Sequence, residues 1–528
     1  MYAILTVVSV FGAFFLCFLS YGRGTLYFIP NEEPGVCADR FLNYVCQGKE
    51  EEALGIQSSE DTLFVFPNNP DAVEEIMISA LKNSYSYTLN KPEPAADTHA
   101  RVSATVNFLE LSKLVPDLNK YVNTKLAEMV ETKRKSEVYD ENDNYRQDVL
   151  NNLYEEAVQN ILSEPEKYYS SSDILLDLNY SDGEWKVAHN PALKLALAGG
   201  SASGANTASN IKSEVLGELT YIPKVYTIEE NAVMGPKPNP NNYGTTDNPY
   251  DIVKLVEENP KLTEDKKCFF NPDVSFVNKN IQYYADETIL CYSWKEFCDG
   301  HACTFSEVYL SDPSQFRRKL SQDTYGSPIQ KYASEMSKET NAVVAMNGDF
   351  YKFRAEGVTV YQRELYRFNP RHLELCHVNS NGDLLFTYAD ELPDEESARK
   401  YIEENDVLFT LAFGPVLIAD GKPHESSNSY LLGQVTERYS RSVLARGEPC
   451  HYLLMTINHG SNVPTTTIPQ TRDIMMSKGV TDAYVLDGGQ TAEIIMQNKV
   501  LNYVDFGSER AVSDILYFVT ALPEEESQ

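Results

Sequence analysis

Positive charge is what this sequence has least of for its size. Forty-five Lys and Arg residues stand against 77 Asp and Glu, giving a formal net charge of −32 and an isoelectric point near 4.6. Nucleic acid and anionic lipid surfaces are bound through basic patches, so no nucleic-acid partner is expected. No internal repeat is visible. Cysteine is sparse, nine in 528 residues, and the spacing of Cys268, Cys291, Cys298 and Cys303, with His301 among them, is not a usual zinc pattern. His372, Glu374 and Cys376 would share one strand face in "RHLELCH", a weak hint of a metal beside the simpler reading as fold. No metal and no cofactor are expected. Disulfides require an oxidising compartment, so bridged and free thiols both remain open.

Uncharged apolar runs of membrane length occur once. From Tyr2 to Gly22 no residue carries a charge, and a helix of that stretch would reach about 31 Å, enough to cross a bilayer. An uncleaved anchor is expected, with a cleaved signal at Ser20-Tyr21-Gly22 as the rival. The expected location is the cell membrane, single-pass, with the main domains extracytoplasmic. Arg23 and Arg40 follow the run and argue for the opposite orientation.

A hydrophobic content of 42% in 528 residues supports two or three domains with real cores. Residues 1–22 read as the anchor or signal, and 31–198 as a small α+β domain of cystatin-like or nuclear-transport-factor-like kind. In that domain Val149, Leu150, Leu153, Ala157, Val158, Ile161 and Leu162 fall at helical spacing. "ILLDLNYSDGEWKVA" reads as a hairpin turning at Ser181-Asp182-Gly183. Residues 199–260 read as linker and irregular segment, and 261–528 as the C-terminal domain. There, strands are expected at "TILCYSW", "AVVAMN", "LLFTY", "VLFTLAF", "YLLMTIN", "AYVLD" and "ILYFVTA". Helices are expected over 327–340 and 465–479, so the class is mixed α/β or α+β.

Four stretches in this domain bring polar groups to the end of an apolar run beside a glycine or an arginine. "AVVAMNGDFY" delivers Asn347, Gly348 and Asp349. "LAFGPVLIADGK" turns at Asp420-Gly421. "RYSRSVLARGE" carries Arg441 and Ser442. "YVLDGGQTAEIIM" delivers Asp487, Gly488, Gly489, Gln490 and Thr491. Singly, each is also an ordinary turn. Together and in order, "NGDFY", "FGPVLIADGK", "RSVLARG", "GVTDAYVLDGG" and "RAVSDILYF" resemble the phosphodiester glycosidase family over roughly residues 280–522.

That resemblance implies hydrolysis of the bond between a sugar's anomeric carbon and a phosphodiester oxygen, in a glycan or cell-surface polymer such as an exopolysaccharide. It assigns the phosphate to Arg441, with Arg510 as a second candidate, since a guanidinium offers paired donors to an anion. Asp487 would stabilise or attack the cationic anomeric carbon. Asp349 would serve as second carboxylate, and Asn347 as a hydrogen-bonding group. Gly348, Gly488, Gly489, Gln490, Thr491, Ser442 and His459 would complete the substrate site, the two glycines at 488–489 by turning backbone N–H groups toward an anion. Gln490-Thr491-Ala492 replaces the family's more usual Gly-Ser-Ser. That departure keeps a second reading open: a non-catalytic glycan- or cell-wall-binding protein on the same fold.

Overall fold

The alternation of apolar and polar residues in two long strands builds the first half of the molecule. The structure, a computed structural model, describes residues 32–524 except 65, 67–68, 91–92, 97, 201–206, 389, 426–434 and 459–464. The chain divides into two compact units, Met1–Lys224 and Val225–Gln528.

In the N-terminal unit, β1 (Ser86–Leu89) and β2 (Glu93–Ala96) both pair with β3 (His99–Leu109). β3 pairs with β4 (Tyr169–Ser181), and β4 with β5 (Glu184–Val187), every contact antiparallel. β3 buries Ala100, Val102, Ala104, Val106 and Phe108 on one face, and β4 answers with Ile174, Leu176 and Leu178, as period-2 alternation requires. The β4–β5 hairpin turns on Asp182 and Gly183, both at positive φ (54° and 91°), the conformation that fits a tight hairpin to twisted strands. Helices Val115–Thr132 and Gln147–Ile161 pack on each other and share one hydrophobic core with the sheet. The first buries Val115, Leu118, Val122, Leu126 and Val130, a single stripe at helical period. A helix also forms over Thr207–Gly217, inside the stretch read as linker. Among the described residues no helix is long and apolar enough to cross a membrane; the Tyr2–Gly22 run lies outside the described residues.

The C-terminal unit contains three antiparallel sheets. The largest has nine strands in the order β18 (Lys422–Pro423), β17 (Val416–Ala419), β21 (Asp482–Leu486), β19 (Arg441–Arg446), β20 (His451–Ile457), β9 (His301–Leu310), β8 (Ile289–Cys298), β7 (Phe276–Ala285) and β6 (Tyr243–Thr246). A second runs β10 (Phe316–Leu320), β24 (Asp514–Phe518), β11 (Val344–Asn347), β22 (Ile494–Met496) and β23 (Lys499–Val500). The third runs β13 (Glu364–Asn369), β12 (Gly357–Tyr361), β16 (Val407–Leu411), β14 (Leu375–Asn379) and β15 (Leu384–Thr387). Leu444, Leu454 and Leu486 of the first sheet, Met346, Leu516 and Phe518 of the second, and Val378 and Leu411 of the third share one buried cluster. The other face of the nine-stranded sheet, with Val443, Met455 and Val485, packs on Ile474 and Met475 of the helix Ile468–Lys478. That helix starts at a Thr467/Gln470 capping box and stops at Gly479 (φ 78°), the start and stop signals its sequence carries.

With all paired strands antiparallel and helices segregated, the fold is α+β. The helix expected over 327–340 is shortened to Ala333–Glu339, because Lys331 is held in a bridge to Val512. No disulfide joins the described cysteines: Cys268, Cys291, Cys298 and Cys303 are all free thiols.

Candidate active site

Residues 487–493 leave the nine-stranded sheet at the end of β21 and enter the second sheet at β22. The polar interruption between two apolar runs is therefore a crossing between sheets. At the same point β11 ends in Asn347, and its side chain ties the two sheets together. Asn347 is fully buried. Its Nδ2 donates to the Asp487 carbonyl (2.6 Å), while its Oδ1 accepts from Ser442 Oγ (2.7 Å) and the Glu493 N–H (3.2 Å). The Asp487 N–H in turn donates to the Gly348 carbonyl (3.3 Å).

Beside this junction opens a cleft of about 350 Å³, walled by Phe350, Phe413 and Tyr439 and floored by Ser440, Arg441 and Leu486 through Gln490, with Arg510 at its side. Ligand sites commonly begin at about this volume. Asp487 is the carboxylate in its lining. Its side chain is 9% exposed, Oδ1 accepts the Gly488 N–H (2.9 Å), and Oδ2 faces Arg510 Nη2 at 3.4 Å. Burial pushes its pKa up to about 7, with Arg510 pulling the other way. Arg510 is 45% exposed and so remains open to an incoming anion. Gln490 is held by a bond from Nε2 to the Ser508 carbonyl (3.0 Å), which fixes the Arg510 loop against the 487–491 turn. Ser440 Oγ donates to Asp505 Oδ2 (2.7 Å) and anchors the same loop from the other side.

The remaining sequence-predicted residues divide by burial. Arg441 lines the cleft, but its guanidinium is turned inward: Nη2 donates to the Glu437 carbonyl (2.9 Å) and Nε to that of Thr466 (3.4 Å), with the Tyr439 ring 5.2 Å away. Asp349 is 3% exposed and lies outside the lining. Its Oδ1 is paired with Arg354 Nη2 (2.7 Å) and accepts the Phe350 N–H (2.6 Å), and its Oδ2 accepts the Ala412 N–H (3.0 Å). In this geometry it fixes loops rather than meeting a ligand. Ser442 and Thr491 are likewise buried, Thr491 Oγ1 donating to the Gly488 carbonyl (2.8 Å).

The glycines serve a purpose other than the one expected. The Gly488 N–H is taken by Asp487 and the Gly489 N–H by the Ser440 carbonyl (3.0 Å), so neither points at a ligand. A Cβ on Gly488 would stand 2.3 Å from the Ser440 carbonyl oxygen, and one on Gly348 would stand 2.5 Å from Asp514 Oδ2. The Ser440 backbone at Gly488 and the buried Asp514 carboxylate at Gly348 are what exclude a side chain there. His459 lies outside the described residues. Sequence reasoning missed Arg354, the aromatic walls and the Ser440–Asp505 anchor. Phe350 stood inside the quoted "NGDFY" motif, whereas Arg354 and Asp505 carried no local signal.

Residues 340–519 match the family described as Phosphodiester glycosidase. This segment belongs to that family. It includes β11, β19, β21 and the whole cleft lining. A relative in Bacillus subtilis (strain 168), the SPbeta prophage-derived uncharacterized protein YomE, is 22% identical over 202 residues, covering 36% of this chain and 30% of that protein. This chain therefore matches less than a third of that relative's length. Among solved structures, the catalytic domain of zebrafish N-acetylglucosamine-1-phosphodiester alpha-N-acetylglucosaminidase, auto-inhibited by its pro-peptide, aligns at 15% identity with a TM-score of 0.34, over 44% of this chain and 82% of that one. A hypothetical protein from Synechocystis aligns at 12% identity with a TM-score of 0.36, over 44% and 62%.

Proposed function

We propose that the phosphodiester glycosidase domain hydrolyses a sugar-1-phosphodiester in a glycan or cell-surface polymer, cleaving between the anomeric carbon and the phosphate oxygen. The observation that carries this reading is a nearly buried carboxyl, Asp487, facing a half-exposed Arg510 in a cleft of sugar size. Arg510 binds the phosphodiester charge. Asp487 acts in its ionised form, stabilising positive charge at the anomeric carbon or activating water there. The phosphate ester departs with the bonding electrons, and water supplies the hydroxyl of the released reducing sugar. Arg441 contributes positive charge from beneath the wall and holds the Glu437–Thr466 backbone that shapes it. Aromatic walls of Phe350, Phe413 and Tyr439 suit the apolar faces of a sugar ring.

A specific observation favours the second reading, a glycan- or wall-binding protein. Asp349, the second carboxyl expected of a two-carboxylate mechanism, is sealed by Arg354 and backbone donors. The two readings separate in one experiment. The full chain is incubated with a sugar-1-phosphodiester, and reducing sugar is measured alongside binding. The enzyme reading expects release that falls by about 10²–10³ in Asp487→Asn. Binding with no release in the unaltered protein would leave the binding-module reading. Anchoring by Tyr2–Gly22, with the domains outside the cytoplasm, is proposed from the sequence of that run alone.

A further inference from the structure

Behind the Asp349 loop lies a second concentration of charge that the proposed chemistry does not use. Arg318, on β10, has a fully buried side chain; its Nε donates to Asp514 Oδ2 and its Nη1 to the Thr410 carbonyl, both at 2.7 Å. The Arg354 side chain is 4% exposed and gives Nη2 to Asp349. Arg367, on β13, gives Nη1 to the carbonyls of Tyr351 and Arg354, both at 2.8 Å. Five buried guanidinium nitrogens are then left over: Arg318 Nη2, Arg354 Nε and Nη1, and Arg367 Nε and Nη2. None has a hydrogen-bond partner among the described residues, and neither has buried Thr359 Oγ1.

The topology brings these groups together. Thr359 and Arg367 stand opposite each other in the β12–β13 ladder, which sets both side chains on one face. Arg367 is bonded to the backbone of Arg354 itself. Thr410, which holds Arg318, lies on β16, the strand beside β12. The Arg318 guanidinium is 5.6 Å from the ring of Tyr351, whose carbonyl holds Arg367. Three guanidinium groups, which stay protonated in proteins, face two carboxylates, Asp349 and Asp514. The phenols of Tyr325 and Tyr351 complete the surroundings. One positive charge and several donors are thus uncompensated in the interior, where an unpaired charge is strongly disfavoured.

We propose that Arg318, Arg354, Arg367 and Thr359 form a buried site for one small monovalent anion of halide type, chloride in ordinary salt. A single negative charge balances the cluster. A phosphate dianion would overshoot it and meet Asp349 and Asp514 at close range. The site is separate from the cleft, whose lining includes none of the three arginines. Its role is to fix the Asp349 loop, and with it Phe350, against the third sheet.

The test uses the full chain and does not depend on any hydrolytic activity. Crystals soaked in bromide are measured at the bromine absorption edge. In parallel, thermal unfolding is compared in sodium chloride and sodium gluconate at equal ionic strength. The expected results are an anomalous peak among these four side chains and a Tm several degrees higher in chloride. That salt difference should vanish in Arg367→Met and shrink in Thr359→Val, whose near-isosteric change keeps the comparison available if the arginine variant does not fold. No anomalous peak at the cluster, ordered water there in both salts, or an equal Tm in the two salts would overturn the proposal.

Discussion

Asp487 carries most of the account at the scale of single residues. Its pKa is raised from 3.8 to about 7 because burial disfavours the charged form more than Arg510 favours it. If the ionised form does the work, kcat/KM should rise with pH along a limb centred near 7. Removing Arg510 as Arg510→Gln takes away the pull toward ionisation, so the limb should move to higher pH; a pH–rate profile of the two proteins checks this. The same displacement affects stability. A carboxyl whose pKa is raised on folding favours the fold most where it is protonated, and that advantage is lost as pH climbs from about 4 through 7. Asp487→Asn removes the penalty, which at this displacement is at most about 4 kcal/mol. The variant should therefore unfold at higher denaturant than the native protein at pH 8, with the two converging toward pH 4. The sequence made Asp487 and Asn347 visible, since an acid and an amide ending apolar runs beside glycines are conspicuous. It did not show that Asp349 is closed off, because Arg354 and the Ala412 N–H reach it from elements whose positions only the folded chain defines.

Among the elements, strand ends and the crossing between sheets decide where the cleft sits. β21 is expected from "AYVLD" and forms, and β22 forms from the apolar run beyond the Asp-Gly-Gly turn. That they belong to different sheets could not be read locally, since β22 pairs with β11, about 150 residues upstream, and such pairings depend on the whole topology. Helix Ile468–Lys478 was legible because its caps are local; the shortened Ala333–Glu339 was not, because the distant Val512 captures Lys331 in an isolated bridge. The crossing is sensitive to its glycines in unequal ways. At Gly488 an added Cβ meets backbone oxygen at 2.3 Å, whereas at Gly489 (φ 64°) nothing lies within 4 Å. Gly488→Ala should lower stability by several kcal/mol, as forced backbone displacement does, and should disturb Asp487. Gly489→Ala should cost only the left-handed penalty, about 1–2 kcal/mol. Urea unfolding of the two variants makes the comparison; equal costs would contradict the close-approach explanation.

At the scale of the whole molecule, an acidic chain with a net charge of −32 presents two α+β units, and the described cleft belongs to the second. The α+β class followed from periodicity. The order of strands within three sheets did not, because non-local pairing leaves no local sequence signal. If Tyr2–Gly22 anchors the protein with its domains outside, protease added to intact cells should remove both units; digestion only after lysis would place them in the cytoplasm, as Arg23 and Arg40 suggest. The central claim is the bond that the cleft breaks, and one measurement reaches it directly. A sugar-1-phosphodiester is hydrolysed by the full chain in ¹⁸O-water, and both products are weighed by mass spectrometry. Attack at the anomeric carbon predicts the heavy oxygen in the reducing sugar and none in the phosphate ester. Label in the phosphate, or no product from the native protein, would contradict it.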